Sequence, residues 1–286
     1  MIMNESSQAI RDSLAKTVVI IPAMNEEKSI GLVLDDLPEV GCVIVVDNGS
    51  KDSTADIAKS KGCVVVSEPI AGYGRACLTG MNHLQSLVDQ EQMEVDFVGF
   101  VDGDYSDHPQ ELTQMLRTLL GYQDDGSVLD EKALDFVLGS RMLGPRESGA
   151  MLPQALMGNW LACSLMRLFW GARFTDLGPF RLIRYDKLMA LGMQDLNFGW
   201  TIEMQIKATL AKLRIAEIPT PYRRRVGVSK ISGTLTGTFR AGYKILYTIA
   251  RFAYLSKFRR SEFMGSMLSP ASAVLTSASV PSQNIV

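Results

Sequence analysis

Cysteine is scarce and unpatterned: four residues, Cys42, Cys63, Cys77 and Cys163, lie singly among Val, Ile, Ala and Leu. That argues against a disulfide framework and a thiolate metal site, and fits buried thiols in a cytoplasmic chain. Neither sign of charge dominates, since 29 Lys and Arg stand against 31 Asp and Glu, so the total gives no argument for nucleic acid as a partner. Glu5, Arg11 and Asp12 precede any apolar run, which speaks against a secretory leader. Apart from the uncharged tail from 263 onward, no stretch of about 18 residues is both free of charge and continuously apolar enough to span a bilayer. The Gly-Lys-Ser/Thr of a P-loop is missing, and no G-x-G-x-x-G follows the first apolar run. What remains is the composition of a folded globular chain: 286 residues, 47% hydrophobic and 21% charged, enough for one large or two small domains.

Segments 17–21 (TVVII), 42–46 (CVIVV), 63–66 (CVVV) and 95–101 (VDFVGFV) are short apolar runs, as strands buried on both faces are. Between them, 26–37, 53–61 and 75–88 carry apolar residues at helical spacing. Strand and helix alternating in this way predict right-handed crossovers and a doubly wound, mostly parallel α/β sheet with helices on both faces. Further on, the pattern predicts helices at 109–120, 153–170 and 200–213, strands at 134–138, 180–184 and 214–218, and a polar Asp- and Gly-rich loop at 123–130. Nothing between 138 and 180 resembles a linker. The expected organisation is an arm at 1–16, one domain at 17–236, an amphipathic basic helix at 237–260 and a disordered tail at 261–286.

Chemistry concentrates at the carboxyl ends of the strands, where open parallel sheets bind ligands. Asp47 and Asn48 close the second strand, and Pro22, Ala23, Met24, Asn25 and Glu26 hold the equivalent place after the first. Asp47 and Asn48 alone would serve equally as turn or cap residues. The acidic pair Asp102 and Asp104, separated only by Gly103, is the sharpest signal. Two carboxylates at the end of a buried strand suit a hard divalent cation, Mg²⁺ or Mn²⁺, which shares oxygen ligands with substrate phosphates. This pair, with the missing glycine fingerprint, disfavours a nicotinamide oxidoreductase. Asp107 and His108 follow, as support for the site or as the start of a helix. AGYGRA (71–76) sets Gly74 and Arg75 at a helix start, a combination suited to phosphate. In the second half, TDLGPFR, NFGWTIE and YRRRVGVSK gather polar residues among turns. Glu203 is either an exposed helix-start charge or a site residue, and Trp200 is core or a ligand stack.

These segments together resemble the family 2 glycosyltransferases of the GT-A fold, and within them the polyprenyl-phosphate sugar synthases, of which dolichyl-phosphate mannose synthase is the familiar member. The resemblance runs from about 17 to 237. It implies that Pro22, Ala23, Met24, Glu26, Asp47 and Asn48 contact the nucleoside of a UDP- or GDP-hexose, that Gly74 and Arg75 flank its diphosphate, and that Asp102, Gly103 and Asp104 form the metal-binding Asp-x-Asp. Asp104 would be the direct ligand, with Asp102 close to the sugar. It further implies that Arg141, Arg225 and Lys230 meet the phosphate of a polyprenyl-phosphate acceptor, with Asp176 and Glu203 at the cleft floor, and that the anomeric centre inverts. DLGPF replaces the TSGF-type segment of the mannose synthases, which leaves the sugar and the acceptor open. Two other functions compete: the same donor chemistry with a soluble hydroxyl acceptor, for which Asp176 or Glu203 would be the general base, and a nucleotide-sugar-binding module without turnover.

Segment 238–258 (TFRAGYKILYTIARFAYLSKF) sets Arg240, Lys244 and Arg251 on one helical stripe beside a broad aromatic and apolar face. Such a helix suits the interface of an anionic membrane and places the chain peripherally on its cytoplasmic face. The competing reading is a helix packed on the domain or on a second copy, which would make a homo-oligomer. From 222 to 260 there are ten basic residues and no acidic one, leaving 19 basic against 31 acidic elsewhere. The near-neutral total is thus the sum of an acidic body and a basic arm.

Overall fold

The computed structural model describes residues 2–122, 134–227 and 235–258, with side chains from residue 7 in the first segment and from 242 in the last. The loop expected at 123–130, Lys230 and the tail at 261–286 lie outside the described residues. Each apolar run becomes a strand: β1 (Thr17–Ala23), β2 (Cys42–Asp47), β3 (Val64–Ser67), β4 (Phe97–Phe100), β5 (Phe136–Ser140), β6 (Arg181–Arg184) and β7 (Ile215–Pro219). They form one sheet in the order β3-β2-β1-β4-β6-β5-β7. The pairs β1–β2, β1–β4, β2–β3 and β5–β7 are parallel, while β6 lies antiparallel between β4 and β5. The carboxyl ends of β1, β2 and β4 therefore point the same way.

Alternate side chains of each strand enter opposite layers, as a pleated strand requires. Val18 and Ile20 of β1 pack in a cluster with Leu78 and Met81 of α4 (Tyr73–Asp89) and Trp200 and Met204 of α8 (Trp200–Leu210). Val19 and Ile21 pack on the other face with Ile30 and Val33 of α2 (Ile30–Asp36), Ala58 of α3 (Thr54–Ser60) and Leu112, Met115 and Leu116 of α5 (Leu112–Leu120). The stretch expected as an arm forms α1 (Ile2–Ala15), whose Ile10 and Leu14, one turn apart, are buried in this second layer. Another helix without a sequence forecast, α7 (Tyr185–Ala190), follows β6 directly. A 3-10 turn at Pro109–Glu111 precedes α5.

A third cluster lies beside the sheet. Ala162, Cys163 and Met166 of α6 (Pro153–Trp170) meet Ile202 and Ile206 of α8 and Ile249 and Phe252 of α9 (Leu235–Phe258). The Trp170 indole also donates to Ser256 Oγ at 3.2 Å. One flank of the C-terminal helix is therefore packed on the domain. Its other flank exposes Tyr243, Leu246, Tyr247, Tyr254 and Phe258, and α6 exposes Met157, Trp160, Leu168 and Phe169, with Trp160 67% and Leu168 73% exposed. Among the described residues no helix is long and apolar enough to cross a membrane.

Candidate active site

The loops after β1 and β2 are stapled to each other by their polar side chains. Asn25, at φ 52°, receives Lys51 N–H on Oδ1 at 2.7 Å and gives its own N–H to Ser50 Oγ at 2.9 Å. Glu26 N–H donates to Thr54 Oγ1 at 2.7 Å. These bonds delay the helix expected from 26 until Ile30 and fix the bend at residues 24–25 that follows β1. Asn48 N–H continues the ladder to Ala23 O, while its side-chain amide donates to Glu68 O and Ile70 O and its Oδ1 accepts from Gly72 N–H, each at 2.8 Å. Asn48 thus shapes the 68–72 loop.

Above these ends lies a cavity of about 340 Å³. Of the residues expected at a donor site, Pro22, Ala23, Met24, Glu26, Asn48, Asp102, Gly103 and Asp104 line it. Asp47, Gly74 and Arg75 are not in its wall. Asp47 accepts Ser50 N–H at 3.1 Å, a turn role. Gly74 answers a different steric need from the one expected: a β-carbon there would run into the Asp195 carbonyl, and one on Gly72 would meet Leu196 O. The start of α4 is pressed against the backbone of the 195–197 loop, and Arg75 N–H donates to Leu196 O at 3.0 Å. That loop brings Asn197 and Phe198 into the wall, with Tyr73 beside them. NFGWTIE and AGYGRA were singled out in sequence, but none of these three was given a role at the donor, because each faces the cavity only through a tertiary contact.

Asp102 Oδ1 is buried without a hydrogen-bond partner. Burial, and then the Asp104 charge, pushes the Asp102 carboxyl up to about 7. Asp104 receives Ser106 N–H at 2.9 Å and Ser106 O–H at 2.6 Å on Oδ1, and its Oδ2 lies 3.3 Å from Arg225 Nη1. An unpartnered buried carboxylate oxygen beside a second carboxylate, at the mouth of a cavity, fits Mg²⁺ or Mn²⁺ that draws its other ligands from water and substrate phosphates. Among the described residues no cluster of three or more His, Cys, Asp or Glu offers a complete protein-made metal cage. Asp107, 1% exposed, has both carboxylate oxygens unpartnered, and burial followed by the Asp102 charge raises it well above the carboxylate range. His108 stays at the turn, 3.3 Å from the Gln110 amide.

Arg225 was expected at the acceptor phosphate; it lies in the wall of this cavity, among the residues expected at the donor. Its Nη2 lies 3.0 Å from Glu26 Oε1, so it bridges Glu26 and Asp104. The register comes from the backbone: Arg223 N–H donates to Ser106 O and Val226 N–H to Asp104 O, both at 3.0 Å. Arg223 stacks 3.4 Å over the Tyr105 ring and donates to Asp107 O at 2.9 Å, holding the two segments together.

Asp176 and Arg141 form a bidentate pair, Nε to Oδ2 at 2.7 Å and Nη2 to Oδ1 at 2.8 Å, and Arg141 N–H adds a bond at 2.9 Å. Burial opposes ionisation of Asp176, yet the Arg141 charge and hydrogen bonds hold its carboxyl below the ordinary 3.8. The 175–177 segment is fixed from three sides, by Glu217 accepting Thr175 N–H at 2.8 Å, by Asn159 accepting Leu177 N–H at 2.9 Å and by Gln205 donating to Asp176 O at 2.9 Å. The Tyr222 ring lies 5.2 Å from the Arg141 guanidinium.

Glu203 is not at the cleft floor. It is 2% exposed, pairs with Lys207 at 2.8 Å and accepts Asp195 N–H at 2.7 Å and Gln194 N–H at 3.1 Å. Both carboxylates expected as general bases are therefore engaged in holding structure. Trp200 belongs to the core, with its ring 4.8 Å from that of Phe100. The helical stripe is also revised: Lys244 turns inward to Asp195 at 2.8 Å, whereas Arg251 is exposed.

The model of the family described as Glycosyl transferase family 2 matches residues 18–165. An uncharacterized glycosyltransferase of Mycobacterium bovis is 30% identical over 225 residues, which are 78% of this chain and 93% of that protein. A dolichyl-phosphate hexose transferase of Haloferax volcanii is 28% identical over 218 residues, 74% and 85% of the two chains. Among solved structures, glucosyl-3-phosphoglycerate synthase from Mycobacterium tuberculosis, in complex with Mn²⁺, UDP and glucosyl-3-phosphoglycerate, superposes with a TM-score of 0.60 at 20% identity, covering 87% of this chain and 84% of that one. At that identity the likeness is one of fold.

Proposed function

The chain belongs to glycosyl transferase family 2 and has the GT-A fold, and from that premise we propose that it moves a hexose from a UDP- or GDP-sugar to the phosphate of a polyprenyl phosphate. The observation that carries the donor half is the cavity at the ends of β1, β2 and β4, with the unpartnered Asp102 oxygen beside Asp104 in its wall. A bound Mg²⁺ or Mn²⁺ ion would supply neutralisation of the charge on the departing nucleoside diphosphate. Arg225, between Glu26 and Asp104, is a second cation at the same point, suited to the diphosphate.

The acceptor half is supported by what the two carboxylates expected as general bases are doing. An alcohol needs a base within hydrogen-bond reach, and Asp176 and Glu203 are engaged with Arg141 and Lys207. A phosphate monoester, with a second pKa of about 6, is mostly dianionic at neutral pH and needs no base. Its oxygen forms the new bond to the anomeric carbon as the bond to the diphosphate oxygen breaks, with inversion. Arg141, fixed by Asp176, is the cation proposed to orient it.

The exposed aromatic and apolar side chains of α6 and α9 support a lipid acceptor. Both helices lack acidic residues, and Arg167, Arg251 and Lys257 are exposed among the apolar groups. That combination suits an anionic bilayer surface. Replacing Trp160 and Phe169 with Ser should reduce flotation with anionic vesicles at least several-fold while leaving the fold intact, since both side chains are already in solvent. Unchanged flotation would remove the membrane from the proposal. A truncation before α9 is a poorer test, because it would uncover the core around Ile249 and Phe252.

The whole reading is tested by incubating the chain with UDP- and GDP-hexoses and Mg²⁺ or Mn²⁺, with and without a short polyprenyl phosphate. Product entering organic solvent is the expected result. Transfer only to water-soluble acceptors would overturn the acceptor assignment, and absence of both transfer and donor hydrolysis would overturn the catalytic one.

A further inference from the structure

Loop 191–199, between α7 and α8, supplies Asn197 and Phe198 to the cavity wall, and its conformation is set by charge. Asp195 Oδ1 accepts Asn197 N–H at 2.8 Å and Gly199 N–H at 3.2 Å, closing the turn that begins α8. Its other oxygen, Oδ2, lies 2.8 Å from Lys244 Nζ on α9, with the Asp195 side chain only 8% exposed. Thr248, one turn along α9, presents its hydroxyl to Gly199 so closely that a β-carbon at 199 would meet both that hydroxyl and the Asp195 carboxylate. Beneath, Glu203 holds Gln194 and Asp195 by their amides, and Lys207 neutralises Glu203 and donates to Gly192 O. The remaining side of the loop is pressed against Gly72 and Gly74 at the start of α4.

We infer that Lys244 is a positioning residue for the donor: through its ion pair with Asp195 it locks the loop that carries Asn197 and Phe198 against the nucleotide sugar. The inference rests on the reading of the cavity as the donor site. It makes α9 part of the donor machinery, in addition to any contact its outer flank makes. Lys244 is not itself in the cavity wall. Its effect reaches the donor because Asp195 joins three constraints in one carboxylate: the turn amide of Asn197, the helix-start amide of Gly199 and the α9 ammonium. Without the ammonium, a nearly buried carboxylate loses its counter-charge, and the loop gains conformations in which Asn197 and Phe198 no longer face the ligand.

The test is calorimetric titration of UDP and of GDP, each with Mn²⁺, into the full chain, together with steady-state kinetics against donor and acceptor. Lys244→Met, which keeps the stem and removes the charge, should weaken binding of the preferred nucleotide about five- to tenfold and raise the donor KM in parallel. The acceptor KM and kcat should stay within about twofold. Lys244→Arg should restore affinity, and adding Lys244→Met to Asp195→Asn should have no further effect, as expected for one shared interaction. Asp195→Asn keeps an oxygen for the two amides, so it reports on the ion pair even if Lys244→Met fails to fold. Wild-type affinity in Lys244→Met or Asp195→Asn, or equal changes in donor and acceptor KM, would overturn the inference. A wild-type chain that binds neither nucleotide would overturn the donor reading and this inference with it.

Discussion

Asp104→Asn should lower the transfer rate about a thousandfold, the scale lost when a central electrostatic contributor to a transition state is removed. The amide keeps the shape and one oxygen, so Ser106 N–H and O–H retain an acceptor. What disappears is the negative charge that faces Arg225 at 3.3 Å and that a hard divalent cation requires. Two consequences separate this result from simple damage. Binding of Mn²⁺ in the presence of the nucleotide should fall with the rate, and the unfolding midpoint should move little, because Arg225 keeps Glu26 as a partner and the buried Asp102 carboxyl loses a like-charged neighbour. A variant that keeps more than a tenth of the wild-type rate would take Asp104 out of the reaction.

The largest loss of stability is expected from Arg141→Ala. Asp176 is 1% exposed, and the Arg141 guanidinium gives it two hydrogen bonds and its counter-charge, so removing the guanidinium leaves a buried carboxylate with backbone N–H contacts only. Breaking a buried pair from one side costs about 3–5 kcal/mol. The pH dependence gives this cost a signature. In the wild type the folded-state pKa of Asp176 lies below its ordinary 3.8, so the pair stabilises the fold above that value and the contribution is lost as pH falls through the folded pKa. In the variant the guanidinium charge and its two hydrogen bonds are gone while burial and the backbone N–H bonds stay, so the carboxyl rises and protonation relieves part of the cost. The difference in unfolding free energy between the two chains should therefore be greatest at neutral pH and shrink below pH of about 4. Denaturant unfolding across that range is the measurement, and a difference independent of pH would mean that Asp176 is not the group left exposed to the cost.

Strands β1 to β4 were legible because each lies in a nearly continuous apolar run, and the helices between them because the apolar spacing changes there. The insertion of β6 between β4 and β5 was not, since nothing in RLIR specifies its neighbours or its direction. Helices α1 and α7 were missed for different reasons: α1 buries only a narrow stripe, including Ile10 and Leu14, and α7 is six residues long. In the cavity wall, Asp102, Asp104 and Glu26 were legible because they follow the ends of buried strands, whereas Asp47, at the end of β2, took the turn role that its sequence equally allowed. Glu203 and Asp176 were assigned to chemistry although their partners are fixed by packing. Lys207 sits one turn from Glu203 in sequence, but Arg141 is 35 residues from Asp176, and a carboxylate does not announce which cation has claimed it. The same limit applied to Lys244, whose basic stripe suggested a membrane interface while its partner lay in a distant loop.

The antiparallel place of β6 also bears on how the chain is made. Strands β1 to β4 occupy residues 17–100 and pair only among themselves and with β6, so most of the donor half can assemble as soon as it leaves the ribosome. Strand β5 emerges with neither neighbour in existence, because β6 follows it by roughly 40 residues and β7 by roughly 75. At ordinary elongation rates that is a wait of about two to eight seconds before even the first partner arrives. Throughout it, FVLGS presents two bare edges of a strand led by three large apolar residues, the kind of surface that chaperones shield and that pairs with the wrong chain when they do not.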